Sequence, residues 1–368
     1  MNKNKPTRYG SEWAKLNYEP YQLRLNPEFN GTLWQIDGTR IQIPYLAEGR
    51  KIRFLYIFVV MDVHSRKIIG FSVDTSEQKQ MIIKSIENAV KTVGYIPKEM
   101  VRDSGPPMQS VDFKYLEDYM RFLGTYCRKH IPAHPQDKAH VERFFGTFQS
   151  TVLKNEKGYV GEGIKSTKES GRPDPEVVLE SRKSKNLRTK IELELLIEKC
   201  VEKYNSTRVH SDVPSPNAKF EHSNIDKNAT KISSNEEALL FWKHTQVKVK
   251  KSMIILTQGS RSQIKHQYII YDEALRNTLN QTDVKICYQK NDRRLIKVFD
   301  ENDGWITDLS LKIPIPIVYD RKLNLVDRPI KKTDSENSGN KVVLDTIKVE
   351  INPEHQLYKQ KGTNEEIK

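Results

Sequence analysis

Between residues 32 and 153 the apolar positions follow two different periods. "TLWQIDGTRIQIPY", residues 32–45, places Leu33 and Ile36 around Trp34 and then alternates through Ile41 and Ile43, as a strand does. Residues 54–61, "FLYIFVVM", are apolar throughout; eight residues are too few to cross a bilayer and suit a fully buried strand. A polar turn, "DVHSRK", separates them from a third strand, "IIGFSV", beginning at Ile68. The period then changes. Ile82, Ile86, Ala89, Val90 and Val93 repeat every 3.6 residues, with Ser76 available as a cap and Gly94 as a stop. A short strand "EMVR" leads into "DSGPP", a loop because Gly and two prolines continue neither element. "FKYLEDYMRFL" returns to helical spacing and ends at Gly124; "TYCRK" is a fifth strand, and Pro132 and Pro135 hold open the next loop. Val141, Phe144, Phe145 and Phe148 then fall at i, i+3, i+4 and i+7, the stripe of an amphipathic helix. The order βββαβαβα predicts an α/β fold, a mixed five-stranded sheet with flanking helices.

Beyond Leu153 the pattern dissolves into a polar, Gly-rich insertion at about residues 155–190. A helix is expected again where Leu193, Leu196, Ile197, Cys200, Val201 and Tyr204 recur. An acidic-polar stretch follows and reads as a linker over residues 223–242. Seven short β-branched segments come next, "VKV", "MIIL", "YIIY", "VKICY", "LIKVF", "WITDL" and "IPIPIV", separated by Gly, Asn and Asp. Their spacing predicts a small all-β barrel domain over residues 243–320. Residues 1–30 read as a polar arm. Residues 321–368 read as a charged, flexible tail.

Composition narrows the class of protein. A net charge of +13 raises the expectation of a polyanionic partner. The charge is uneven: residues 241–300 carry twelve Lys and Arg against five Asp and Glu, more than half of the excess. A basic surface kept for solubility explains that stretch equally well. The three cysteines, Cys127, Cys200 and Cys287, form neither a disulfide framework nor a zinc knuckle and point to a reducing cytosol. "MNKNKPTRYG" holds no apolar core of a secretion signal, and no membrane partner is expected.

Three carboxylates stand at special places. Asp37 ends or interrupts the first strand among apolar neighbours, and Asp103 follows "EMVR" at the carboxyl end of a strand, where α/β sheets place their chemistry. Glu142 lies about 100° around its helix from Val141, at the rim of the apolar stripe. Clustered carboxylates repel unless a cation binds, and oxygen-only ligands suit Mg²⁺ or Mn²⁺. Two such ions about 3.5–4 Å apart would clamp the attacking and leaving oxygens of a phosphoryl displacement. Each residue also has an ordinary explanation. Asp37-Gly38 is equally a hairpin turn, Asp103 equally an Asx residue capping its own loop, and Glu142 a solvated helix carboxylate.

Taken together, "WQIDGT", "VVMDVHSRKIIGFSVD", "VRDSGPP" and "DKAHVERFFGTF" resemble the catalytic core of DDE transposases and retroviral-type integrases, which has a ribonuclease-H-like fold. The spacings agree: 66 positions from Asp37 to Asp103 and 39 from Asp103 to Glu142. "EKYNSTRVHSDVPSPNAKF" is similar to the segment that closes the core in many bacterial members, which would place the core at residues 31–222. The basic β-rich region resembles the C-terminal barrel of bacteriophage Mu-type transposases. By this resemblance Asp37, Asp103 and Glu142 are the metal ligands and catalytic residues of a polynucleotidyl transferase. Asp37 would bridge two ions, Mg²⁺ or Mn²⁺, with Asp103 and Glu142 binding one each. The implied reaction is cleavage of transposon ends and transfer of their 3′-hydroxyls into target DNA, by a homo-oligomer on paired ends in the bacterial cytoplasm. An ATPase that delivers target DNA is a partner the resemblance leaves open. Two alternatives are a hydrolytic nuclease of the same fold and a truncated, non-catalytic DNA-binding derivative.

The sequence departs from the pattern in three places. Asp-Ser-Gly-Pro-Pro stands where Asp-Asn-Gly is usual, and His140 where many members carry lysine, with Lys138 one helical turn before Glu142. Members also usually carry an N-terminal helical domain that reads the ends, whereas this sequence begins almost at the core. Lys138, His140 and Arg143 are candidate DNA contacts near the site. In the β-rich region Lys248, Lys250, Lys251, Arg293, Arg294 and Lys297 could track the phosphate backbone. His130, His134 and His140 lack the cysteines and spacing of a zinc site, and Ser104 has no paired base. Asp62 is a turn residue with a minor claim to assist the carboxylates.

Overall fold

The computed structural model describes residues 26–48, 51–130, 137–161, 187–207, 215–250, 253–258, 266–271, 275, 282–289 and 295–310. The chain divides into two compact units, residues 1–241 and 242–368. In the first, strands β1 (Leu33–Ala47), β2 (Lys51–Asp62) and β3 (Ile68–Asp74) form an antiparallel meander. Helix α1 (Lys79–Val93) and the two-residue strand β4 (Tyr95–Ile96) lead to β5 (Glu99–Arg102). Helix α2 (Val111–Phe122) then crosses to β6 (Tyr126–Lys129). The sheet order is β3-β2-β1-β5-β6, with β5 parallel to both β1 and β6. This is the mixed five-stranded sheet expected from the sequence.

Both faces of that sheet are covered, which is why residues 54–61 can be apolar throughout. Trp34, Ile36, Phe58 and Val60 pack on one face with Ile82, Ile86 and Ala89 of α1 and Phe113, Leu116 and Met120 of α2. Ile57, Val59 and Met61 face the other way, toward helices α3 (Ala139–Thr147) and α4 (Lys190–Ser206). The phenylalanine stripe of α3 lies in this second core, with the Phe144 ring edge-on to Tyr204 at 4.7 Å. Beyond α3 the backbone continues as a π turn (Phe148–Val152) and a short 3-10 turn (Leu153–Asn155). Gly70 lets α1 approach the sheet: a Cβ there would stand 2.4 Å from the Ser85 carbonyl and the Ala89 nitrogen. No side chain fits in that gap.

Some boundaries move. Helix α1 begins after Gln78, not at Ser76, whose hydroxyl instead accepts from the Gln78 amide. The apolar face starts only at Met81, so residues 75–78 are free to turn Glu77 toward the sheet. The segment read as a linker packs onto the first unit. Asn30 and Ile225 form a bridge, β7 (Thr230–Lys231) pairs with β4, and helix α6 (Ser234–Phe241) sends Leu240 into the core. Polarity misled there because apolar contacts come from a few residues between polar ones. Short helix α5 (Pro216–Glu221) precedes it, capped by Ser215.

The second unit is an antiparallel sheet of six strands: β8 (Lys243–Lys250), β9 (Met253–Gln258), β10 (His266–Tyr271), β11 (Asp283–Tyr288), β12 (Leu295–Phe299) and β13 (Trp305–Ser310). Their order is β10-β9-β8-β11-β12-β13, and no ladder joins β10 to β13 among the described residues. The described part of the expected all-β domain is thus one antiparallel sheet. The expected seventh strand, "IPIPIV", lies outside the described residues.

Candidate active site

Asp37 is not a hairpin residue. It lies within β1, opposite Val59 of β2, and only 18% of its side chain is exposed. Its neighbour on the other side is decided by β5. Gln35 of β1 pairs in parallel with Val101, so two residues on the chain reaches Asp37, within β1, and Asp103, just past the carboxyl end of β5. Burial pushes the Asp37 carboxyl above the ordinary carboxylate range; Lys138 pulls it down and the charge of Asp103 pushes it up again.

Asp103 does cap its own turn, accepting from the Gly105 amide at 3.0 Å. The Asx reading holds, and that bond uses only one lone-pair direction of a carboxylate with several. Its position is fixed by Arg102, whose carbonyl-directed Nη1 donates to the Asp103 backbone oxygen at 2.8 Å. The rest of that guanidinium makes two 2.6 Å bonds to Glu117 of α2. These side chains are 5% and 3% exposed, so the end of β5 is tied to α2 by a buried fork.

Two further residues belong to this place, and spacing singled out neither for the role it has. Lys138 precedes α3 and sets its ammonium 2.9 Å from Asp37 Oδ1 with 7% of its side chain exposed. Glu77, on the loop between β3 and α1, lies over Gly38; a Cβ on that glycine would come within 3.1 Å of Glu77 Oε1. Burial raises the Glu77 pKa, and the charges of Asp103 and Asp37 raise it further. Its one legible signal was an acid beyond the carboxyl end of a strand.

Gln35 holds α3 in place. It is buried, its amide donates to the Asp137 carbonyl at 2.9 Å, and its oxygen accepts from the Val141 N–H at 3.0 Å. Asp137 itself receives two bonds from Arg128 of β6, at 2.6 and 2.9 Å, while Arg128 also reaches Glu99 of β5. The start of α3 is therefore anchored to β1 and β6 together.

Glu142 is exposed on α3, with its backbone N–H on the Lys138 carbonyl at 3.1 Å. Among the described residues no group of three or more His, Cys, Asp or Glu could hold a metal ion. The sheet thus brings Asp37 and Asp103 together and adds Lys138 and Glu77, with Glu142 one helical turn beyond Lys138. Its neighbour Arg143 is exposed and His140 is half-buried. Asp62 is structural: fully buried, it accepts from Gly31 N–H, Ser65 N–H and the Ser65 hydroxyl. His130 gives its N–H to the Arg102 carbonyl at 2.7 Å, and His134 lies outside the described residues.

Residues 28–133, from the approach to β1 through β6, match the integrase core domain family. The matched stretch includes Asp37 and Asp103 and stops short of Glu142. The chain is also similar to the transposase for transposon Tn552 of Staphylococcus aureus, 23% identical over 159 residues. That match covers 41% of this chain and 32% of the transposase, so the chain spans about a third of the curated relative. Among solved structures, the chain resembles the simian T-cell lymphotropic virus intasome in complex with PP2A regulatory subunit B56 gamma. There the identity is 14%, coverage 82% of this chain and 88% of the other, and the TM-score 0.38. It also resembles the catalytic core domain of BIV integrase, at 16% identity, 52% and 94% coverage, and a TM-score of 0.34. Both likenesses are loose.

In the second unit, Lys248 and Lys250 are exposed on β8, on the side opposite Val247 and Val249; Lys248 stands 3.6 Å from Asp283. Lys297 does not fit a phosphate contact. It is 3% exposed and committed to Asp308 at 2.8 Å. Lys251, Arg293 and Arg294 lie outside the described residues. No helix among the described residues is long and apolar enough to cross a membrane.

Proposed function

We propose that this protein is a DNA transposase or integrase, a polynucleotidyl transferase that nicks the ends of a mobile element and joins their 3′-hydroxyls to target DNA. The observation that carries this reading is the parallel register of β1 and β5, which sets Asp37 beside Asp103 at the carboxyl end of β5, within the stretch that matches the integrase core domain family. The donors fit a hard divalent cation in kind. They are carboxylate oxygens, the charge of Asp103 raises the Asp37 pKa, and the Lys138 ammonium shows that a cation is accepted beside Asp37.

Asp37 and Asp103 would hold Mg²⁺ or Mn²⁺, two ions in all, with Glu142 as the third ligand. Bound there, the cations would polarise the scissile phosphate and favour the deprotonated form of the attacking hydroxyl. The protein's own part is positioning. Arg102 and Glu117 hold the Asp103 backbone, and Gln35 holds the helix that carries Glu142 to the strand that carries Asp37. Arg143, His140, Lys248 and Lys250 would meet phosphates, giving affinity without sequence reading. Element ends are held in pairs by a homo-oligomer, and the work is done in the bacterial cytoplasm, where the DNA is.

The test is a joining assay with pre-nicked ends, target DNA and Mg²⁺. Wild type is expected to join strands, while Asp37→Asn, Asp103→Asn and Glu142→Gln bind DNA but join none. Cleavage without joining would identify a hydrolytic nuclease, and full joining by any of the three variants would remove that residue from the site.

A further inference from the structure

Lys138 is unusual in being a lysine buried against one carboxylate of an acidic group. Its ammonium is 2.9 Å from Asp37 Oδ1, and the side chains are 7% and 18% exposed. Asp103 and Glu77 add negative potential at the same place. The backbone around Lys138 is fixed on both sides. Asp137 is held by Arg128 and Gln35, and Val141 by Gln35. The Lys138 carbonyl accepts the N–H of Glu142, so the two residues lie one turn apart at the start of α3. These bonds tie the main chain on both sides of Lys138, and the four-carbon lysine stem is what can move.

We propose that Lys138 is a displaceable counter-ion: its ammonium and a divalent cation compete for the Asp37 carboxylate, and cation binding releases Lys138 from the site. This rests on the reading of Asp37 as a metal ligand. A dication and an ammonium repel strongly at a few ångströms in a partly buried site, so they do not share one carboxylate oxygen. The lysine keeps a buried carboxylate paired and the cluster preformed, at the cost of weaker metal binding. Once released, the ammonium lies beside the helix face bearing Glu142, where a DNA phosphate is its natural partner.

The experiment labels the full chain with acetic anhydride and follows Lys138 by peptide mass spectrometry, with and without saturating Mn²⁺. Calorimetric titrations with Mn²⁺ accompany it for wild type, Lys138→Gln and Asp37→Asn. Lys138 is expected to be protected without Mn²⁺ and to label readily with it. In Asp37→Asn it should label readily under both conditions. Removal of the competitor should tighten Mn²⁺ binding in Lys138→Gln by roughly 5–150-fold, the usual range for coupled sites. Unchanged protection of Lys138 at saturating Mn²⁺ overturns the inference in wild type alone, whatever the variant's stability. Equal or weaker binding by a folded Lys138→Gln overturns it too. If wild type binds no Mn²⁺, or Asp37→Asn binds it as tightly, the metal-site reading itself fails, and the inference with it.

Discussion

Replacing Gln35 by methionine keeps the length and volume of the side chain and removes both of its hydrogen bonds. The two partners it leaves are backbone groups, the Asp137 carbonyl and the Val141 N–H, and both bonds are buried. Each buried backbone group left without a partner costs about 1–3 kcal/mol, so the substitution should cost about 2–6 kcal/mol. For a unit of this size each kcal/mol lowers the melting temperature by about 2–4 °C, which places the expected drop on the order of 5–20 °C. Gln35→Glu provides the internal control. Its carboxylate can still accept from Val141 but presents an acceptor to the Asp137 carbonyl, so it loses one bond and adds a repulsion. Thermal melts followed by circular dichroism give the stability, and amide hydrogen exchange at Val141 and Glu142 gives the local effect. The variants should lose protection at the start of α3 first, because that is where the released groups lie. A melting temperature for Gln35→Met within 1 °C of wild type, with unchanged exchange at Val141, would refute the reasoning that Gln35 anchors this helix.

The Arg102–Glu117 fork should separate stability from positioning. Glu117→Ala strands a buried guanidinium and is expected to cost about 3–5 kcal/mol in urea melts, whereas Arg102→Met with Glu117→Leu should recover most of it. The double variant still lacks the bond to the Asp103 carbonyl, so strand transfer should stay low despite restored stability; recovery of both would show that Arg102 does not position Asp103. Alkaline pH tests the buried thiols. Burial raises Cys200 to about 11, and Cys127 and Cys287 to about 12, from 9.0. In that window the folded chain keeps protons that the unfolded chain has lost, so stability should fall as pH rises from about 9 toward 11–12. The fall should be shallower when all three cysteines are serine, and Ellman's reagent should react with none of them in the folded protein at pH 8.

The strand and helix pattern of the first unit was written in the sequence because its periods record burial. The continuous apolar run in β2 signals two covered faces, and the stripe of α3 signals one. The same logic placed Asp103 after a strand and Glu142 off a stripe. It could not decide between turn and strand for Asp37, since Asp-Gly suits a turn in isolation. Pairing with Val59 overrode the local preference. It also mistook residues 223–242 for a linker, because packing of sparse apolar residues leaves no periodic trace. What stands around Asp37 was decided by tertiary structure alone. Asp103 arrives through a parallel register, Lys138 through an ion pair spanning 101 positions, and Gln35 grips α3 across 102. Periodicity is a property of neighbouring residues; a polar site is made by pairs brought together from far along the chain.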